Sequence, residues 1–195
     1  MNMRVDNLTF AYRPDGKLDT VNYPNGTSIQ YTYTPANRIQ GITHRRATTT
    51  LYGYGYTYDK NGNRLTQEEQ NDGITESTGY SYDPMNRLTA YTISREGSVA
   101  GYPQRREYTY EGYNRKTERI LEAGTEIDNK IYTYDETNWL KRLAGEPASG
   151  PSYAIDYTFD NNGNTLTKTD TRKPDEQLRF DYSSDDRLVQ VRQGE

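Results

Sequence analysis

An aromatic doublet returns about every 24 residues through nearly the whole chain. It reads Phe10-x-Tyr12, Tyr31-x-Tyr33, Tyr56-x-Tyr58, Tyr80-x-Tyr82, Tyr108-x-Tyr110, Tyr132-x-Tyr134, Tyr157-x-Phe159 and Phe180-x-Tyr182. Self-similarity at such a period marks a repeat architecture, in which one small unit cannot bury its own apolar side and stacks on the next. The chain therefore reads as one array over residues 1–195, with repeats starting near 10, 31, 56, 80, 108, 132, 157 and 180 and no separate effector domain.

Turn residues follow each doublet directly: Pro14-Asp15-Gly16, Pro35-Ala36-Asn37, Asn61-Gly62-Asn63, Pro84-Met85-Asn86, Gly112-Tyr113-Asn114, Glu136-Thr137-Asn138, Asn162-Gly163-Asn164 and Ser184-Asp185-Asp186. Such residues preset a turn dihedral or tolerate positive φ, and Asn-Gly is a strong hairpin signal. A second turn signal comes 10 to 12 residues later in most repeats, at Asn25-Gly26, Asp72-Gly73, Glu96-Gly97, Ala123-Gly124, Ser149-Gly150 and Lys173-Pro174-Asp175. Residues Ala47 to Thr50 lack Gly and Pro, so the turn expected there is the least marked.

Between turns the residues alternate. In Ile74-Thr75-Glu76-Ser77-Thr78-Gly79-Tyr80-Ser81-Tyr82 the large side chains fall at every second position, which is strand geometry and puts both tyrosines of a doublet on one face. Two strands per repeat predict about 16 strands, roughly 25 to 30 Å long. The expected fold is all-β: tandem antiparallel hairpins in one curved, single-layer sheet, because wide open sheets curl.

Composition narrows the functions available. Hydrophobic residues make up 31% of the chain and mean hydropathy is −1.14, while 20 Tyr stand against 3 Phe and 1 Trp. Tyrosine must therefore supply much of the buried area, and its hydroxyl needs a partner or water, which favours a thin sheet with wet edges. A net charge of −4 gives no footprint for nucleic acid, so no nucleic-acid partner is expected. With no cysteine there is no disulfide, thiolate nucleophile or thiolate metal site, and no apolar run approaches a membrane span.

The segments Tyr56-Thr57-Tyr58-Asp59-Lys60-Asn61-Gly62-Asn63-Arg64-Leu65-Thr66 and Tyr80-Ser81-Tyr82-Asp83-Pro84-Met85-Asn86-Arg87-Leu88-Thr89 closely resemble the Rhs or YD repeat. The signature residues are Tyr56, Tyr58, Asp59, Gly62, Arg64 and Leu65, then Tyr80, Tyr82, Asp83, Asn86, Arg87 and Leu88. The resemblance runs from about Phe10 to Leu188, with weaker copies at Tyr108 to Lys116 and Tyr132 to Leu140. It is similar to bacterial Rhs polymorphic toxins, cocoon components of Tc toxins, wall-associated proteins and the teneurin barrel. That resemblance implies a spiralling β-shell, enclosing a toxic domain in the toxin members, and hence a secreted or cell-surface setting as part of a larger system. Three departures stand out: no Pro-rich DPxG-type self-cleavage motif, no unique domain after the array, and no polar caps at its ends.

One histidine and two Asp/Asn-rich turns invite a chemical reading. His44, the one histidine, lies in a strand without a recognisable nucleophile to serve. Asp59-x-Asn61-x-Asn63 and Asp160-x-Asn162-x-Asn164 resemble the start of a calcium loop but lack its sixth-position Gly and twelfth-position Glu, so hairpin turns are expected. Arg38, Arg64, Arg87, Arg115 and Arg187 follow the turns at equivalent points, and are expected to pair with Asp59, Asp83 and Glu111 of the same or neighbouring repeat. No catalytic, cofactor-binding or metal-binding residue is expected.

The reading is a non-enzymatic structural module, a shell segment that encloses or displays another polypeptide such as a secreted toxin. Its partners would be other repeats of a longer shell, or further copies joined through open sheet edges. The alternative is a module that binds carbohydrate or a cell surface through the exposed tyrosine ladder.

Overall fold

The computed structural model describes residues 8–97 and 99–194. Two compact units divide the chain, Met1–Pro103 and Gln104–Glu195. The first holds β1 (Thr9–Tyr12), β2 (Leu18–Asn22), β3 (Thr27–Tyr33), β4 (Ile39–Arg46), β5 (Thr49–Tyr58), β6 (Arg64–Asn71), β7 (Ile74–Tyr82) and β8 (Leu88–Arg95). The second holds β9 (Gln104–Glu111), β10 (Asn114–Glu122), β11 (Thr125–Tyr134), β12 (Leu140–Pro147), β13 (Tyr153–Phe159), β14 (Thr165–Asp170), β15 (Leu178–Tyr182) and β16 (Leu188–Gln193). One short 3-10 turn, Pro174–Glu176, is the only helical element among the described residues.

Within each unit every strand pairs antiparallel with its neighbours in sequence. Among the described residues no second layer packs on the strands of either unit. The expected all-β fold of tandem hairpins in a single layer is thus present. Among the described residues no helix is long and apolar enough to cross a membrane.

A single layer leaves few places to hide a side chain. Val21, Thr78, Ala90, Tyr108, Glu118 and Ala154 are buried, and among the described residues no large side chain is fully so. This is what a tyrosine-rich, aliphatic-poor sequence can sustain: rings half-covered by their neighbours, with hydroxyls that need partners.

Register assigns the faces. Phe10, Val21, Ile29, His44, Tyr52, Asn71 and Ile74 stand opposite one another from strand to strand, so they share the face that carries the doublets. The other face of the first unit is small and polar: Thr32, Gly41, Gly55, Glu68, Ser77 and Ser94 form one row. In the second unit that face carries charge, with Arg119 reaching Glu107 and Glu126 at 2.7 Å each.

The turn between β4 and β5 falls at Ala47-Thr48, with Ala47 at φ +52°. Neither Gly nor Asn marks it, which is why the sequence signal there is faint.

Candidate functional site

Seven of the turns after a doublet share one geometry. The fourth residue after the second aromatic is left-handed in each: Gly16, Asn37, Gly62, Asn86, Asn138, Gly163 and Asp186, with φ between +59° and +96°. Only Gly, Asn and Asp occupy the position, the residues for which that region costs least. The turn at Gly112-Tyr113 is tighter, and Asn114 there faces Glu111 directly.

The residue after the second aromatic ties its turn shut. Asp83 Oδ1 accepts the amides of Met85 and Arg87 at 2.9 Å each, while Arg87 Nε donates to Oδ2 at 2.7 Å. The Arg87 amide, working against desolvation and joined by the Arg87 side chain, holds the Asp83 carboxyl below its ordinary range. Asp59 and Asp160 make the same closure with Asn63 and Asn164, whose amide and side-chain nitrogens both donate to the carboxylate at 2.8 to 2.9 Å.

A relay of hydroxyls links successive repeats. Tyr33 donates to the carbonyl of Leu18 at 2.8 Å, Tyr58 to that of Ile39 at 2.7 Å, and Tyr82 to that of Arg64 at 2.9 Å. Each acceptor is the residue standing opposite the second aromatic of the preceding repeat, since Leu18 faces Tyr12, Ile39 faces Tyr33 and Arg64 faces Tyr58. The half-covered tyrosine thus satisfies its own hydroxyl and fixes the next hairpin at once.

The same landmark sets register. Three residues beyond it, each outgoing strand meets the residue four before the next repeat's second aromatic: Val21↔Ile29, Ile42↔Tyr54 and Gln67↔Thr78 in the first unit. Glu118↔Lys130, Leu143↔Ile155 and Lys168↔Leu178 follow it in the second. Six joins within the two units therefore obey one rule, including the one that follows the tighter turn.

Neighbouring turns also fit side by side, in two ways. Arg38 lies across Gly62, filling the space a side chain there would need, with its guanidinium 5.7 Å from the Tyr58 ring. Trp139 takes the same position against Gly163 and packs at 5.4 Å on Phe159. Where the next turn carries Asn or Asp instead of Gly, amides bridge: Asn61 and Asn63 donate to Asn86 Oδ1 at 2.8 and 2.7 Å, and Asn162 and Asn164 donate to Asp186 Oδ1 at 2.9 and 2.8 Å.

The arginine ladder differs from expectation. Arg64 stands opposite Tyr58, where Leu88 stands opposite Tyr82, so it lies one place beyond Arg87 and Asn63 takes the slot instead. Leu65 is displaced with it and is exposed. Arg87 pairs with Asp83, but Arg64 bonds Gln67 at 2.7 Å and lies over the Tyr56 ring at 4.4 Å. Arg115 lies over Tyr108 at 4.3 Å, Glu111 pairs with Lys116, and Arg187 pairs with Asp185. Arg64 and Arg115 lie over rings, where a partly desolvated aromatic face attracts a cation and competes with an exposed carboxylate, whose pairing is worth little.

His44 stacks on Tyr52 with centroids 4.0 Å apart, and burial holds it below its ordinary pKa. Tyr80 contacts Tyr91 across the hairpin at 6.4 Å. Sequence reasoning missed Glu118, which is 4% exposed, accepts from Arg106 at 2.6 Å and from the Tyr132 hydroxyl at 2.7 Å, and has Lys130 at 3.9 Å. Burial pushes its pKa up, but Tyr132 and Arg106 outweigh it and leave the group below its ordinary value. Burial and then Glu118 push the Tyr132 phenol up to about 12.

Residues 58–99 match the family model described as RHS Repeat. Among solved structures, the crystal structure of TcdB2-TccC3-TEV is 20% identical with a TM-score of 0.72, over 95% of this chain and 10% of that one. TcdB2-TccC3 without its hypervariable C-terminal region is 21% identical with a TM-score of 0.72, over 93% of this chain and 10% of that one. TcdB2-TccC3-Cdc42 is 17% identical with a TM-score of 0.68, over 96% of this chain and 12% of that one. This chain spans about a tenth of the length of the structures it resembles, and the likeness is one of fold. No curated protein matches it.

Proposed function

We propose, from the premise that residues 58–99 form an RHS repeat, that this chain is a non-enzymatic wall segment of an RHS-type shell. Both units are parts of one repeat array, and the wall encloses or displays another polypeptide, such as a secreted toxin. The observation that carries this reading is the common register of six hairpin-to-hairpin joins. A rule that depends only on the preceding hairpin lets a wall extend by repetition, which is what building an enclosure requires. The Tyr33, Tyr58 and Tyr82 hydroxyls and the Arg38 guanidinium hold one repeat to the next, as a wall requires.

The test is co-expression with the polypeptides encoded beside this one, followed by co-purification and protease digestion. Protection of a co-purifying polypeptide at a protease dose that degrades it alone supports enclosure. Degradation at the unprotected rate overturns it.

A saccharide-binding reading is favoured by one specific feature, the open groove of about 660 Å³ lined by Trp139, Phe159, Tyr157, Lys141 and Asp135. Ring faces beside fixed carboxylates suit sugar stacking and hydrogen bonding. Glycan-array binding that Trp139→Ala abolishes, with the sheet intact by circular dichroism, would place this reading first.

A further inference from the structure

The two outermost strands are built to complement each other. Every residue of β1 and of β16 is exposed, and among the described residues each strand has a partner on one side only. Leu188 faces Tyr182, as Ile39 faces Tyr33, so by the register rule Val191 awaits a residue four before a second doublet aromatic. In β1 the second aromatic is Tyr12, and the residue four before it is Leu8. Val191 and Leu8 are 49% and 45% exposed; Val191 stands opposite Phe180 on the doublet face, and Leu8 lies two residues before Phe10 of the first doublet.

The turns agree with the strands. Arg187 holds the slot of Arg38, its side chain 83% exposed and paired with Asp185 on its own turn at 3.0 Å. A pair that exposed contributes little and yields readily. Gly16 holds the slot of Gly62 at φ +80°, yet no described residue lies within 4 Å of the point where its Cβ would stand, whereas Arg38 fills that space at Gly62. Tyr12 holds the slot of Tyr58 and is 64% exposed. Three half-joins on β16 thus meet three matching half-joins on β1.

We propose that β16 of one copy pairs antiparallel with β1 of a second copy of this chain, head to tail. Val191 faces Leu8 of the next copy, Arg187 lies across its Gly16, and the Tyr12 hydroxyl donates to the carbonyl of Leu188. An unpaired edge carrying the register of an existing join is a template for that pairing. Because the two surfaces differ, each added copy presents a fresh β16 edge, so association continues past the dimer unless a ring closes. This goes beyond the shell-segment reading, since it names the chain's own second copy as the next wall unit.

The test uses the full chain, which has no cysteine. Leu8→Cys and Val191→Cys are made in separate chains, mixed and oxidised. Facing residues in an antiparallel pair stand about 4.5 to 5.5 Å apart, within disulfide reach. The expected result is an interchain disulfide in the mixture and little in either variant alone, with mass rising on concentration in sedimentation velocity. Val191→Glu, at an exposed site that leaves folding intact, should return the chain to monomer. Cross-linking of each variant with itself as readily as in the mixture overturns the proposal, as does a monomer up to near-millimolar concentration. A strict monomer would leave the shell-segment reading standing.

Discussion

The Trp139 indole lies 3.0 Å from the point where a Cβ on Gly163 would stand, the place that Arg38 takes beside Gly62. A planar group laid over a left-handed glycine is thus a recurring way to seat one turn on the next. Arginine and tryptophan serve it equally because both are long, flat and able to pack on the following aromatic, Tyr58 or Phe159.

Gly163→Ala should therefore destabilise more than Gly150→Ala. Both positions have positive φ, +90° and +94°, and both substitutions incur about 1 to 2 kcal/mol of left-handed strain, partly offset by a stiffer unfolded chain. At Gly150 the added methyl meets open space, whereas at Gly163 it meets the indole. The excess, about 1 kcal/mol as a coupling between neighbours, should vanish in a Trp139→Ala background when urea midpoints are compared. Trp139 is the one tryptophan, so its emission reports the displacement directly.

Glycine carries a different meaning at Gly145, which faces Tyr153 across β12 and β13. The phenol ring of Tyr153 lies where a Cβ would be, and its hydroxyl reaches Asp128 at 3.1 Å. Gly145→Ala should cost about 1 to 3 kcal/mol as overpacking. Gly79→Ala, with nothing near its added methyl, should be neutral or slightly stabilising, because a strand glycine gains from a side chain. Equal effects in thermal denaturation would refute the ring-over-glycine account.

Hairpins, turns and doublet faces were legible because each follows from a residue's own dihedral preference or from period two. Asn86 and Gly62 announce left-handed turns; Tyr80 and Tyr82 announce a face. The Ala47 turn was faint because alanine has no such preference, and the strands on either side impose φ +52°. Arg64 misled although its offset can be counted: it follows Tyr58 by six residues where Arg87 follows Tyr82 by five, so Asn63 fills the slot that Arg87 fills in the next repeat, as the strand pairing shows. The Glu118 cluster draws on three strands, so no local pattern contains it. The Trp139 lock joins two repeats and becomes visible only when their turns lie side by side.

The tyrosine relay predicts a graded response to removal of single hydroxyls. Tyr82→Phe removes a partly buried bond to the Arg64 carbonyl at 2.9 Å, and Tyr58→Phe an exposed one to Ile39 at 2.7 Å. The first should cost about 1 kcal/mol and the second less, because water replaces the exposed donor. Hydrogen exchange should accelerate locally, in β6 and β7 for Tyr82→Phe and in β4 and β5 for Tyr58→Phe. Uniform acceleration across the first unit would mean that the hydroxyls do not fix individual joins.

Glu118 and Tyr132 give the second unit a pH dependence at both ends of the scale. Glu118 has its pKa lowered from the ordinary 4.5, so the folded state holds this proton less tightly than the unfolded chain does. Its contribution is complete above that value and is lost as pH falls through the folded pKa. Tyr132 is the opposite case, raised from 10.0 to about 12, so the folded state keeps a proton that the unfolded chain releases. Its contribution is complete below pH 10.0, declines as pH rises, and is gone above about 12. Glu118→Gln, which keeps the volume but removes the charge from Arg106 and Lys130, should cost about 1.5 to 3 kcal/mol near neutral pH. Tyr132→Phe should flatten the alkaline decline and cost less than additively when combined with Glu118→Gln, since one bond is lost in both. Stability of the second unit measured by urea unfolding across pH decides the matter: an alkaline slope unchanged in Tyr132→Phe would assign the decline to other phenols.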